Sequence, residues 1–433
     1  MKRTVIISLI LLALFSSCKK DNTTVPSTDV TPAMARDSLY NLMQWWYYWY
    51  KEMPAVNKDS YSDPYALMDA EMYKPLDKWS FVADYNQFNA EMQGEFVGHG
   101  IRIGVDDAGK ARIAEIYNLS PLYAQGVRRG WIIKSVNGTD IAPLIISGNS
   151  TAYNNVMGAS QAGVTNVFVF TKPDGTDVQI SSTKSSFTIN SVIVYDTLHL
   201  STGVAGHLVF DSFIQPSPGE LATAFAYFSS VNIKNLILDL RYNTGGYLNV
   251  AQGLASYIGG NNVNQTSIFA KLSYNDQNQD QNVNYTFKTT PTPMEIPRLV
   301  VITSRLTASA SEAVINGLKP WMPVICIGDT TYGKPVGMNG WSVAEKYYFW
   351  PITFKMVNSN NEGNYFGGIP VAKVVADDIT HDFSDRRELC LAEAIHYLET
   401  GSVSAKRSAA PFHRNPQVSE KPSWMNNAFE IKR

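Results

Sequence analysis

The chain has 433 residues, 45% hydrophobic and only 17% charged, enough apolar material for an extensive core divided into two or three domains. A formal net charge of −2, with no long basic run, argues against a general nucleic-acid binder. Three cysteines do not make a disulfide framework, and six scattered histidines without Cys/His spacing point to no metal site. No cofactor is expected.

Residues 1–17 read as a targeting segment, with Lys2-Arg3 at the start, an apolar stretch over 5–15 and Ser16-Ser17 before Cys18. Eleven apolar-region residues are too few to cross about 30 Å of hydrocarbon as a helix. A small pair ahead of cysteine resembles a bacterial lipobox. That would make Cys18 an acylated N-terminus and place the protein in the cell envelope, lipid-anchored to the outer membrane on its periplasmic or outer face. A plain secretory signal is the alternative. Residues 18–32, rich in Thr, Pro and Ser, read as a flexible tether.

Leu39, Leu42, Met43, Trp46, Trp49, Tyr50 and Met53 recur at helical spacing, which predicts an amphipathic helix over 37–53 within an N-terminal helical segment, 33–92. The aromatic cluster 45–50 is read as a packing surface in preference to a glycan platform. The Asn137-Gly138 turn, and a Lys172-Pro173-Asp174-Gly175 hairpin between β-rich runs, predict a small β domain over 93–188.

A second region, 189–400, alternates strands and helices. Strand 207–210 precedes helix 220–228, and strand 235–240 runs into Arg241-Tyr242-Asn243-Thr244-Gly245-Gly246. Helix 248–258 stops at Gly259-Gly260, and the polar span 261–293 reads as an excursion near a substrate channel. Strand 298–304 leads through Thr307-Ala308-Ser309-Ala310-Ser311-Glu312 into helix 312–318, and strand 322–328 ends shortly before Lys334. A helix over 385–398 closes the region, and residues 401–433 read as a surface or disordered tail. Cys326 and Cys390 are expected to be buried and unpaired, and His207 on its strand gives no sign of a Ser-His-Asp triad.

In this order, Ser309 and Lys334, 25 positions apart, both fall at carboxyl ends of parallel strands, where open α/β sheets place their sites. Serine is a poor nucleophile until a neighbour takes its proton. A lysine can do so only if burial lowers its pKa toward working pH. Ser309-x-x-Glu312 also has the pattern of a helix capping box, which needs no chemistry at all. Gly245 and Gly246 either form an ordinary turn or let backbone N–H groups approach a ligand. With the N–H of Ala310 at the helix start they could form an oxyanion hole.

Asp239 to Gly246, Thr307 to Glu312 and Gly328-Asp329-Thr330-Thr331-Tyr332-Gly333-Lys334 together resemble the carboxy-terminal processing peptidases, also called tail-specific proteases, in the order and spacing of that family's motifs. The resemblance extends over roughly 37–398. It implies a crotonase-like α/β protease core in which Ser309 is the nucleophile, Lys334 the general base, and Ala310, Gly245 and Gly246 the oxyanion hole. Gly98-His99-Gly100-Ile101 and the stretches 116–124 and 126–138 resemble the PDZ module these proteases carry, with Gly98, Gly100 and Ile101 binding a peptide terminus. A Gly-rich hairpin without a ligand is the alternative there. Many members of the family place a glutamine four residues after the lysine; here Met338 stands there, expected to offer the amine no such hydrogen bond. The resulting expectation is a serine endopeptidase acting on exported or envelope polypeptides. Its rivals are a catalytically weak or silent surface-anchored peptide-binding protein and, on the same fold class, an enoyl-CoA hydratase-like enzyme.

Overall fold

Asn235–Asp239 has no polar face: all five residues are buried. Leu236 and Leu238 enter one apolar core, and Ile237 between them enters another on the opposite side. Only a strand covered on both faces can carry such a run. The computed structural model describes residues 30–405 and 414–420 and places this strand third from one edge of a six-stranded sheet. Cys18 and the targeting segment lie outside the described residues. The strand order is Val192–Leu200, Gly203–Phe210, Asn235–Asp239, Leu299–Thr303, Val324–Gly328, Lys373–Val374. Only the Val192–Leu200 edge runs antiparallel to its neighbour. Helices Ser217–Ser230, Leu248–Gly259 and Ala310–Leu318 cover one face through Phe225, Leu254 and Val314. Helix Leu389–Thr400 covers the other through Leu391, Ala394 and Leu398.

The mixed α/β class is as expected, and several boundaries move for identifiable reasons. The first helix runs Pro32–Trp46, starting earlier because Thr31 caps it through its hydroxyl. It ends earlier because Tyr47 turns out of the helix to donate its hydroxyl to buried Asp77 at 2.7 Å. The aromatic segment packs on Val336, Phe349 and Ile352 of the core region, as the packing reading holds. Span 261–293 is not a plain excursion. Ile268–Tyr274 and Val283–Thr286 pair in a second, antiparallel sheet with Ile352–Val357 and Val336–Met338. The closing helix begins at Leu389 in place of 385, because the Glu388 carboxylate is its N-cap, accepting Leu391 N–H at 2.8 Å.

Strands Ile101–Val105, Ala111–Ile116, Ile132–Val136, Thr165–Thr171 and Asp177–Thr183 form an antiparallel sheet around their own apolar core, giving a small β module. The tail reading is corrected here. Gln417–Ser419 is a sixth strand of this sheet, paired with Ile101–Val105.

Module and core are joined by buried charge. Arg241, immediately after the central strand segment, reaches Asp239 at 2.7 Å and both Asp377 and Glu388 at 2.8 Å. From the module, Arg129 reaches Asp377 at 3.0 Å, and Tyr242 donates its hydroxyl to the same carboxylate. Burial alone would raise the Asp377 carboxyl, but Arg129 and Arg241 bring it down to about 2. Arg241→Ala would leave buried carboxylates without their cation. We expect a loss of about 3–5 kcal/mol in unfolding free energy, read from a urea midpoint; an unchanged midpoint would mean the network is energetically idle.

Candidate active site

Strand Leu299–Thr303 ends in a turn fastened to the neighbouring strand end: Thr307 donates its hydroxyl to Leu240 O at 2.8 Å, and Ala308 N–H donates to Asn243 O at 3.2 Å. The turn delivers Ser309 at φ +55°, ψ −112°, a conformation that costs a residue with a side chain strain energy. A sharp, strained strand-to-helix turn of this kind exposes a serine hydroxyl at the top of a sheet. Helix Ala310–Leu318 starts at the next residue.

The helix returns Glu312 beneath that turn. Its fully buried carboxylate accepts four hydrogen bonds. Oε2 takes Ser309 N–H at 2.9 Å and Lys334 N–H at 2.8 Å, while Oε1 takes Gly333 N–H at 2.7 Å and the Thr331 hydroxyl at 2.5 Å. Burial pushes this carboxyl up, and the donors around it pull the other way. The capping-box motif is therefore real, but its glutamate does more than cap. It ties the serine turn to the lysine loop.

Lys334 is 6% exposed, and burial lowers its amine to about 8 against the opposing charges of Asp77 and Glu312. Its Nζ lies 3.6 Å from Met338 Sδ and 6.0 Å from the centre of the Trp79 ring. The expectation for Met338 is corrected: the thioether reaches the amine and accepts a weak hydrogen bond. Among the described residues no hydrogen bond joins Ser309 Oγ to Lys334 Nζ, although both line one cleft of about 190 Å³. Phe81, Phe88, Met92, Ile214 and Trp350 make its wall apolar. The contributions of Trp79 and of this aromatic wall were not legible as site residues, because they come from segments distant in sequence and look like ordinary core.

Gly245 and Gly246 reach the same cleft. A Cβ on Gly245 would stand 3.0 Å from Ser309 Cβ, and one on Gly246 would stand 2.2 Å from Phe213 O, so only glycine fits either position. Gly245 is a correction as an oxyanion donor: its N–H is given to Asn243 Oδ1 at 2.9 Å. Among the described residues the N–H groups of Gly246 and Ala310 have no such partner. His207 is buried beside Asp196 and does not line the cleft. Cys326 and Cys390 are buried and unpaired.

In the β module, backbone N–H groups of His99, Gly100 and Ile101 converge on one carboxylate oxygen of Glu420, at 2.9, 2.8 and 3.3 Å. Gly98, expected among the donors, is paired with Ser185 instead; a Cβ there would stand 3.0 Å from Glu420 Oε2. His99 supplies the donor that sequence reasoning assigned to Gly98. Its ring is held between Ser182 and Asn166.

A strained serine at a strand-to-helix turn, a buried amine in the same cleft and two unengaged amides are the groups that a serine-type peptidase site would need. Residues 205–366 match the model of Peptidase family S41, and residues 35–81 match that of the Peptidase S41 N-terminal domain. It is 24% identical over 275 residues to the carboxy-terminal processing protease CtpB of Bacillus subtilis, covering 63% of this chain and 52% of that one. A CtpA-like serine protease of Staphylococcus aureus is 22% identical over 333 residues, 77% of this chain and 62% of that one. The chain thus spans about half to three-fifths of these curated relatives' lengths. A solved S41 protease structure from Bacteroides fragilis shares the fold with TM-score 0.66 and 21% identity, over 84% of this chain and 97% of that one. The photosystem II D1 C-terminal processing protease does so with TM-score 0.50 and 17% identity, over 83% of this chain and 96% of that one.

Glu312→Gln would turn two of the four acceptor positions into an NH₂ facing N–H or O–H donors. We expect a cost of about 1–3 kcal/mol for each donor left unsatisfied, seen as a lower Tm in calorimetry. A variant as stable as the parent would show that the carboxylate does not organise the two loops.

Proposed function

We propose that the protein is a serine endopeptidase in which Lys334 is the general base for Ser309. The observation that carries this reading is the burial of the Lys334 amine in the cleft that holds Ser309, with its basicity lowered to about 8. A neutral amine can accept a proton; an ammonium cannot. In this reading Nζ leaves Met338 Sδ and takes the proton of the serine hydroxyl. Oγ then attacks the substrate carbonyl, and the oxyanion settles on the N–H groups of Ala310 and Gly246, at the positive end of the helix. Lys334 passes the proton to the departing amine, and water hydrolyses the acyl-enzyme. The apolar wall of the cleft favours substrates with an apolar side chain beside the scissile bond.

The β module, read as PDZ-like, supplies C-terminus recognition through the amides of His99, Gly100 and Ile101. Acylation of Cys18 would hold the enzyme at the cell envelope, where exported polypeptides are its substrates. The second reading, a peptide-binding protein without turnover, draws on the Lys334–Met338 contact, since the amine rests on sulfur and not on the hydroxyl. Purified protein mixed with an unfolded casein separates the two: an enzyme yields fragments, whereas a binder gives saturation alone.

Ser309→Ala and Lys334→Ala should each lower kcat/KM by about 10⁴-fold or more while leaving Tm intact; full turnover by either variant removes the dyad. Because the neutral amine is the active form, kcat/KM should rise with pH and level off above about 8. Met338→Gln places an amide oxygen where sulfur now stands. A stronger acceptor favours the ammonium form, so the acid limb of the pH profile should move to higher pH. An unmoved limb would mean the residue at 338 does not tune the base.

A further inference from the structure

Gln417–Ser419 lies antiparallel on the edge of Ile101–Val105, with Gln417 opposite Gly104, Val418 opposite Ile103 and Ser419 opposite Arg102. The pairing continues at both ends. Val105 N–H donates to Pro416 O at 2.9 Å, and Glu420 N–H donates to Ile101 O at 3.4 Å. Val418 packs against the apolar core of the module. The next turn of chain carries the Glu420 carboxylate onto the three converging amides at 99–101. An added strand ending in a carboxylate on backbone N–H groups is how a sheet edge takes a polypeptide terminus. Here the carboxylate belongs to a side chain within the sequence.

The same segment is fastened to the core. Arg414 reaches Asp329 at 2.6 Å, and Asn415 donates to Asp377 O at 2.9 Å. Gln417 donates to Asp377 Oδ2 at 3.4 Å. Asp329 opens the loop that carries Thr331, Gly333 and Lys334 to Glu312. Asp377 is the carboxylate shared by Arg129 of the module and Arg241 of the core.

We infer that residues 416–420 are a built-in occupant of the module's peptide groove, and that a polypeptide with a free C-terminal carboxylate binds there only by displacing them. The Glu420 side chain imitates the terminus of that polypeptide, and Val418 fills the place of one of its apolar side chains. Displacement breaks the contacts that hold this segment at Asp329 and Asp377. The inference rests on the reading of residues 99–101 as a C-terminus site, and it does not depend on proteolysis.

The test uses the full chain, with Glu420→Ala and Val418→Asp made separately. The probe is a fluorescein-labelled peptide Arg-Asn-Pro-Gln-Val-Ser-Ala, with a free C-terminal carboxylate or as its C-terminal amide, and binding is read by anisotropy. Amide hydrogen exchange over residues 99–105 is measured alongside. Both variants should bind the acid peptide about tenfold or more tightly than the parent, because the competing occupant is gone. They should discriminate against the amide, and their 99–105 amides should lose protection when no peptide is present. Equal affinity of parent and variants for the acid peptide, with preference over the amide kept, overturns the inference and leaves the C-terminus site standing. No preference for acid over amide in any of the three proteins overturns that site reading, and the inference with it.

Discussion

One buried carboxylate sets the geometry on which the site depends. Glu312 receives a backbone N–H from the strained serine, two more from the lysine loop, and a hydroxyl from Thr331. The serine turn follows one strand of the sheet and the lysine loop follows its neighbour, so neither determines where the other lies. An ionised carboxylate accepts only, and four donors use its full capacity. That saturation offsets part of the cost of burying the charge, burial still holding the carboxyl above its ordinary range. It also explains how Ser309 is kept at φ +55°: the residue is held from the helix behind it as well as from the strand before it.

A second constraint works at larger scale. Asp377 accepts from Arg129 on the β module and Arg241 on the core, and it is touched as well by Gln417 of the docked tail strand. Buried ion pairs are weak arguments for net stability, since desolvation opposes the attraction. Their evident consequence here is positional. Arg241 belongs to the segment that continues into Gly245 and Gly246, so the network that seats the module also seats the turn packed against Ser309.

The central sheet was legible because strands covered on both faces carry unbroken apolar runs, as 236–238 and 299–302 do. Ser309, Lys334 and the glycine pair were legible by motif, and the structure brings them to one cleft. What escaped had physical reasons. The strands at 268–274 and 283–286 sit among Asn, Gln and Asp residues whose polarity masks a half-buried sheet, and Asn275 and Asn278 use that polarity to hold the carbonyl of Trp45. Residues 417–419 are too few for any periodicity, and their strand exists only because an open sheet edge accepts it. Met338 read as the loss of a polar partner, since the sequence says nothing of the distance between sulfur and amine. Gly245 read as a donor because an Asn two residues earlier gives no sign that its side chain will take that N–H.

The central claim is that burial in the cleft beside Ser309 presents an amine that loses its proton near pH 8, well below an ordinary lysine. The most direct measurement is an NMR titration of the protein labelled with ¹³C at lysine Cε, the Lys334 signal being identified by its loss in Lys334→Ala. A midpoint near 8 is predicted. A midpoint at or above about 10.4, the ordinary lysine value, would contradict the account.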